Sequence, residues 1–144
     1  MSDRRTDACV EAAYGRGVRL VLVDNDEGAL ELINLDLGLE GHDVVATARD
    51  GESAVAACAR TQPEVLVVDY RMPPGIDGIE VARRVLAAGT AGAVIIYSNY
   101  LDPKKEAAAE AAGARWLTKG QLAALRAAVL EAATGHGRRS GAGG

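Results

Sequence analysis

Five short runs of β-branched and aliphatic residues punctuate the chain, and stretches with helical spacing follow them. The runs fall at residues 19–24, 43–47, 65–69, 93–98 and 115–118. Two of them, Val65-Leu66-Val67-Val68 and Val94-Ile95-Ile96, are apolar without alternation, as parallel strands buried on both faces require. In the intervening stretches Ile79, Ala82, Val85 and Leu86 share one helical face, and Leu122, Leu125 and Val129 share another. Asp102 followed by Pro103 reads as an N-cap and a first-turn proline, opening a helix through Ala112 that Gly113 closes. Strands alternating with helices predict a βα-wound parallel sheet with right-handed crossovers. Such sheets place their chemistry beyond the carboxyl ends of the strands. Strands one, three and four end on Asp24, Asp69 and Ser98, and Lys119 follows strand five. The pattern therefore sends four polar groups to one edge.

Composition narrows the class. The 144 residues fit one domain. Residues 1–17 read as an N-terminal extension, 18–133 as the folded domain, and 134–144 as a glycine-rich flexible tail. Apolar residues make up 49% and the net charge is −4, an ordinary soluble balance that lacks the clustered Lys and Arg of a nucleic-acid surface. Aromatic residues are 3% and Phe is absent, so the core must be built from Val, Leu, Ile and Ala. No run reaches the roughly 18 apolar residues of a membrane span, and the first 17 residues hold no apolar signal region. A cytoplasmic location with no membrane or direct nucleic-acid partner is expected. Cys9 and Cys58 lack metal-ligand spacing, and Cys58 falls in an apolar helical stretch as a buried thiol.

An aspartate can attack phosphorus and become an aspartyl phosphate. A carboxylate approaching a phosphate meets repulsion, which a divalent cation relieves by bridging the oxygens. Mg²⁺ favours oxygen ligands, commonly one or two carboxylates with water and phosphate. Asp69 and Asp24 could supply those carboxylates, while Lys119 and Ser98 could hold phosphoryl oxygens.

On these residues the chain resembles the receiver domain of two-component response regulators, in the manner of a single-domain, chemotaxis-regulator-like member. Val67 through Pro73 with Asp77-Gly78 looks like that family's phosphoacceptor strand and loop. Val21 through Glu27 resembles its acidic turn, Ile95 through Ser98 its hydroxyl-bearing strand, and Ala112 through Lys119 its last strand and lysine. The match runs in order through residues 18–133. It implies a flavodoxin-like (βα)5 fold with strand order 2-1-3-4-5. It further implies that Asp69 is the phosphoacceptor, not a catalytic centre of an enzyme. Asp24, Asn25, Asp69 and the Arg71 backbone carbonyl would hold Mg²⁺. Ser98 would bind the phosphoryl group and couple it to the following loop, and Lys119 would pair with Asp69 or its phosphate. Trp116 stands where the family places a switch aromatic. The implied partners are a sensor histidine kinase or phosphotransfer protein, and a downstream effector or a second copy of this chain.

Several positions depart from the family's pattern. Asn25 stands where the second acidic residue is usual, which weakens Mg²⁺ binding unless Asp26 leans in. The loop after Asp69 carries one extra residue and two prolines, Pro73 and Pro74, with Gly75 supplying a turn. The loop before Trp116 is one residue shorter than is common, and Gly120 replaces a frequent proline. The stretch after Lys119 is taken up by the last helix, leaving no room for a DNA-binding domain. These departures motivate an alternative, a phosphorylation-independent protein-binding module. A third reading, a hydrolase using Asp69, lacks a general-acid Asp two residues on, where Arg71 sits, and lacks a glycine-rich phosphate loop.

Overall fold

The computed structural model describes residues 17–143, with side chains through residue 135. The elements run β1 (Arg19–Val23), α1 (Glu27–Leu39), β2 (Asp43–Ala48), α2 (Gly51–Thr61), β3 (Val65–Val68), α3 (Gly78–Ala88), β4 (Ala93–Ser98), α4 (Pro103–Ala111), β5 (Arg115–Thr118) and α5 (Leu122–Gly143). All pairings are parallel and the strand order is β2-β1-β3-β4-β5. The fold is thus the flavodoxin-like arrangement expected. Strand bounds agree with the sequence pattern to within a residue.

Alternation along the central strands divides the core in two. Val21, Val23, Leu66, Val68, Val94 and Ile96 face α2, α3 and α4, where Ala54, Ala57, Cys58, Ile79, Val85 and Ala109 meet them. Leu20, Leu22, Val65, Val67, Ile95 and Tyr97 face α1 and α5, against Leu30, Ile33, Leu37, Leu125 and Val129. Both faces of β1, β3 and β4 are covered, which explains why their runs are apolar without a break. Each fully buried aliphatic side chain contributes about 1.5–3 kcal/mol. Cys58 lies in the first core as a free, fully buried thiol.

Four helices begin on an aspartate. Asp26, Asp50, Asp77 and Asp102 accept backbone N–H groups at the heads of α1 to α4, each cap worth about 1 kcal/mol. Asp36 of α1 is buried and receives both Arg126 Nε, at 3.0 Å, and Arg126 Nη2 from α5, tying the two helices on that face together. The apolar pattern gave no hint of this pair. Among the described residues no helix is long and apolar enough to cross a membrane.

The last helix corrects one expectation. α5 runs on to Gly143, whereas a flexible tail was expected from residue 134. The alanine-rich run ahead of it lets the helix propagate into the glycines, because extension costs less than nucleation. The expected extension at residues 1–17 lies, apart from Gly17, outside the described residues.

Gly78 fixes the geometry that matters most for function. Its N–H donates to Tyr70 O at 2.8 Å, and a Cβ there would lie 2.5 Å from Asp69 O and 3.1 Å from Tyr70 Cα. The head of α3 is therefore pressed directly against the backbone that carries Asp69. Gly78→Ala should destabilise the domain by about 1–3 kcal/mol, the usual cost of overpacking, read as a lower urea midpoint at unchanged slope. An unchanged midpoint would mean that the contact is slack.

Candidate functional site

Parallel pairing and the common register bring the carboxyl ends of β1, β3, β4 and β5 to one edge. Asp24 follows β1, and its N–H donates to Ala48 O across the sheet. Asp69 follows β3, its N–H donating to Val23 O at 3.0 Å. Ser98 ends β4, and its carbonyl accepts Lys119 N–H at 2.6 Å. Backbone hydrogen bonds of the sheet therefore set the mutual positions of all four groups. With Asn25, Asp26, Arg71, Pro73, Asn99 and Tyr100 they line an open cleft of about 440 Å³.

The charges in this cleft are tightly held. Lys119 Nζ lies 2.6 Å from Asp24 Oδ2 and 3.6 Å from Asp69 Oδ2. Asp24 is only 2% exposed, and its other oxygen accepts Asp26 N–H at 2.9 Å. Burial pushes the Asp69 carboxyl up to about 6; the Lys119 ammonium opposes this, and the neighbouring Asp24 carboxylate adds to it. Two carboxylates thus share one ammonium, leaving the cluster a positive charge short of neutrality when both are ionised.

That deficit, and an all-oxygen donor set, fit a hard divalent cation. Asp24 and Asp69 offer carboxylates, and Asn25 and Arg71 line the same cleft. The set is sparse. Among the described residues no three His, Cys, Asp or Glu side chains form a ligand cluster. Asp26 lines the cleft, and its Oδ1 caps α1 by accepting Gly28 N–H at 3.0 Å and Ala29 N–H at 3.5 Å. Asn25 is exposed, and its backbone carbonyl accepts Arg49 Nη2 at 3.0 Å.

Ser98 is 1% exposed, and its Oγ accepts Tyr100 N–H at 3.2 Å. Its own hydroxyl proton stays available to an acceptor in the cleft. Trp116 is 7% exposed and donates Nε1–H to Tyr100 O at 3.3 Å. The residue that leans on Ser98 is therefore also the one that holds Trp116. The Trp116 ring packs 5.5 Å from Tyr70, beside Asp69, and Lys105 Nζ from α4 stands 4.6 Å over the Tyr70 ring. Tyr70, Tyr100 and Lys105 were not singled out from the sequence. An aromatic directly after Asp69 and another two residues after Ser98 were the available signals.

The Pro73–Pro74 peptide is cis, and Gly75 N–H closes a turn on Met72 O at 3.3 Å. Met72 is buried, so the extra residue is absorbed in the exposed Pro73-Pro74-Gly75 stretch without displacing Asp69 from the strand end. Gly120 has φ of +114°, a conformation that a glycine adopts at no steric cost.

Comparison with known proteins agrees with this geometry. The chain is 40% identical over 76 residues to the transcriptional regulatory protein TrcR of Mycobacterium tuberculosis, covering 53% of this chain and 29% of that protein. It is 37% identical over 95 residues to a protein-glutamate methylesterase/protein-glutamine glutaminase of Haloarcula marismortui, covering 66% of this chain and 25% of that protein. The shared segment is thus about a quarter to a third of those relatives. Among solved structures, the signal receiver domain of NarL from Mycobacterium tuberculosis superposes with a TM-score of 0.78 at 32% identity, over 83% of this chain and 98% of that one. The response regulator receiver domain family matches residues 20–130. A match over that span, on a sheet of this order, makes the chain a member of the receiver domain family of two-component response regulators.

Proposed function

We propose that this receiver domain accepts a phosphoryl group on Asp69 from a histidine kinase or phosphotransfer protein, and that the modification switches its protein contacts. The observation that carries this reading is the Lys119 ammonium shared between Asp24 and Asp69 at the sheet edge. In the transfer, an Asp69 carboxylate oxygen forms a P–O bond as the donor's P–N bond breaks, and the departing imidazole takes up a proton. Lys119 supports the phosphoryl oxygens by charge, and the Ser98 hydroxyl donates to one of them. Turning Ser98 toward Asp69 alters its hold on Tyr100 N–H, and Tyr100 O in turn holds Trp116. That chain of contacts reaches the face of α4 and β5, which would meet the effector.

Receiver domains of this family typically bind Mg²⁺ at the acidic pocket. Here Asp24, Asp69, Asn25 and the Arg71 carbonyl would hold it, and when bound it neutralises charge between the carboxylate and the phosphoryl oxygens. With Asn25 in place of an anion, one charge is missing from that set. The activities named for the longer relatives belong to proteins of which this chain matches a fraction. The domain itself is read as a switch and not as an enzyme, acting in the cytoplasm through partner proteins without contacting nucleic acid.

Incubation with acetyl phosphate and Mg²⁺ should add one phosphoryl group by intact mass, lost in Asp69→Ala; a wild-type chain that takes up none would favour the binding-module alternative. Asn25→Asp should tighten Mg²⁺ binding on the order of tenfold, followed by Trp116 fluorescence; an unchanged affinity would remove Asn25 from the ligand set. A third expectation comes from the raised pKa of Asp69. Its folded form holds a proton more tightly than the unfolded chain does, so it favours folding at low pH and opposes it above pH 6. Asp69→Asn should therefore gain stability relative to wild type as pH rises from 4 to 7, by about 1 kcal/mol once screening by cleft water is allowed for. A constant difference across that range would contradict the shift.

A further inference from the structure

The turn that carries Asp24 and Asn25 is gripped from outside the cleft as well as from within it. The Asn25–Asp26 peptide donates its N–H to Asp24 Oδ1 at 2.9 Å, and its carbonyl accepts Arg49 Nη2 at 3.0 Å. In a planar trans peptide these two groups point in opposite directions, so the two partners hold the unit between them. Asp24 is itself fixed, since its other oxygen lies 2.6 Å from Lys119 Nζ and its N–H donates to Ala48 O. Rotating the plane of this peptide breaks one or both of its bonds.

Arg49 is placed for this contact by the sheet. It follows Ala48, the last residue of β2, which pairs with Val23 of β1. It precedes Asp50, whose carboxylate caps α2. Its backbone is thus held on both sides, and the side chain crosses from the end of β2 to the turn between β1 and α1. There Nη1 lies 3.8 Å from Glu27 Oε2, so each arm of the guanidinium fork has a partner. The side chain is 54% exposed, and Arg49 does not line the cleft. It touches the turn from the outside.

We propose that Arg49 is a positioning residue for Asn25: by clamping the Asn25–Asp26 peptide it keeps Asn25 set in the cleft lining, ready as the neutral oxygen ligand of a divalent cation. The inference rests on the reading of the cleft as a divalent-cation site. A neutral amide oxygen attracts a cation less than a carboxylate does. So weak a ligand serves best when nothing has to be ordered at the moment of binding. Arg49 supplies that order beforehand. Its own positive charge acts the other way, because a cation beside the turn repels a second one. The two effects have opposite signs, which lets one measurement separate them.

Mn²⁺ shares the oxygen preference of Mg²⁺, and the electron paramagnetic resonance signal of the free ion counts how much of it the full chain binds. Arg49→Ala should weaken that binding on the order of tenfold. Arg49→Lys keeps a donor of similar reach and should recover most of the loss. Added to Asn25→Ala, the change Arg49→Ala should weaken binding no further. Far-UV circular dichroism checks that each variant is folded, and the exposure of Arg49 keeps the core out of the comparison. Unchanged or tighter binding in Arg49→Ala, beside a wild-type chain that binds Mn²⁺, overturns the positioning role alone, because repulsion is then all that the guanidinium contributes. A further loss in the Asn25→Ala background, or no recovery with Lys, also overturns it. A wild-type chain that binds no Mn²⁺ overturns the cation site and this inference together. Phosphoryl uptake at Asp69 is read separately, by intact mass.

Discussion

Two carboxylates and one ammonium at the end of the sheet set the terms for everything the domain can do. Lys119 lies between Asp24 and Asp69, closer to the first. Water is largely excluded from Asp24, so the ion pair with Lys119 is kept by the sheet and not by chance surface collision. Burial pushes the Asp69 carboxyl up to about 6, and the weaker share of the ammonium left to it only partly opposes that rise. A group in this position gains from any further positive charge and any further hydrogen-bond donor brought into the cleft. A phosphoryl group there would deepen that shortage, so it would need the Lys119 ammonium, the Ser98 hydroxyl and a divalent cation to hold it.

The scaffold earns its rigidity on both sides of that cluster. Apolar side chains pack against each face of β1, β3 and β4, so the strand ends cannot shift singly. Gly78 clamps α3 onto the backbone of Asp69 and Tyr70 from one side, and Asp26 caps α1 beside Asp24 from the other. The loop from Asn99 to Asp102, where Tyr100 and Leu101 are exposed, joins the cleft to the head of α4. Tyr100 touches both Ser98 and Trp116 through its backbone. A change at the cleft has a short covalent and hydrogen-bonded route to the α4 face.

Much of this was legible in the sequence, because parallel strands buried on both sides write continuous apolar runs and polar residues at their ends must share an edge. The runs at 65–69 and 93–98 located Asp69 and Ser98 without any alignment, and the Asp102-Pro103 pair located the head of α4. What escaped was set by tertiary partners. That Asp26 caps the helix at the edge of the cleft depended on the direction of one carboxylate. The preference of Lys119 for Asp24 over Asp69 is a difference of about 1 Å between groups far apart in sequence. The Asp36–Arg126 pair reads in sequence as two ordinary surface charges. The continuation of α5 into the glycine-rich end reflects helix propagation that a composition reading undervalues.

The electrostatics of Asp69 are tested most directly by a carbon-detected NMR titration of its side-chain carboxyl. The midpoint should lie near pH 6 in the wild-type chain and move higher in Lys119→Met, because the ammonium is the group that holds it down. A midpoint near the ordinary aspartate value of about 4, unmoved by that substitution, would contradict the shared-ammonium cluster and the function built on it.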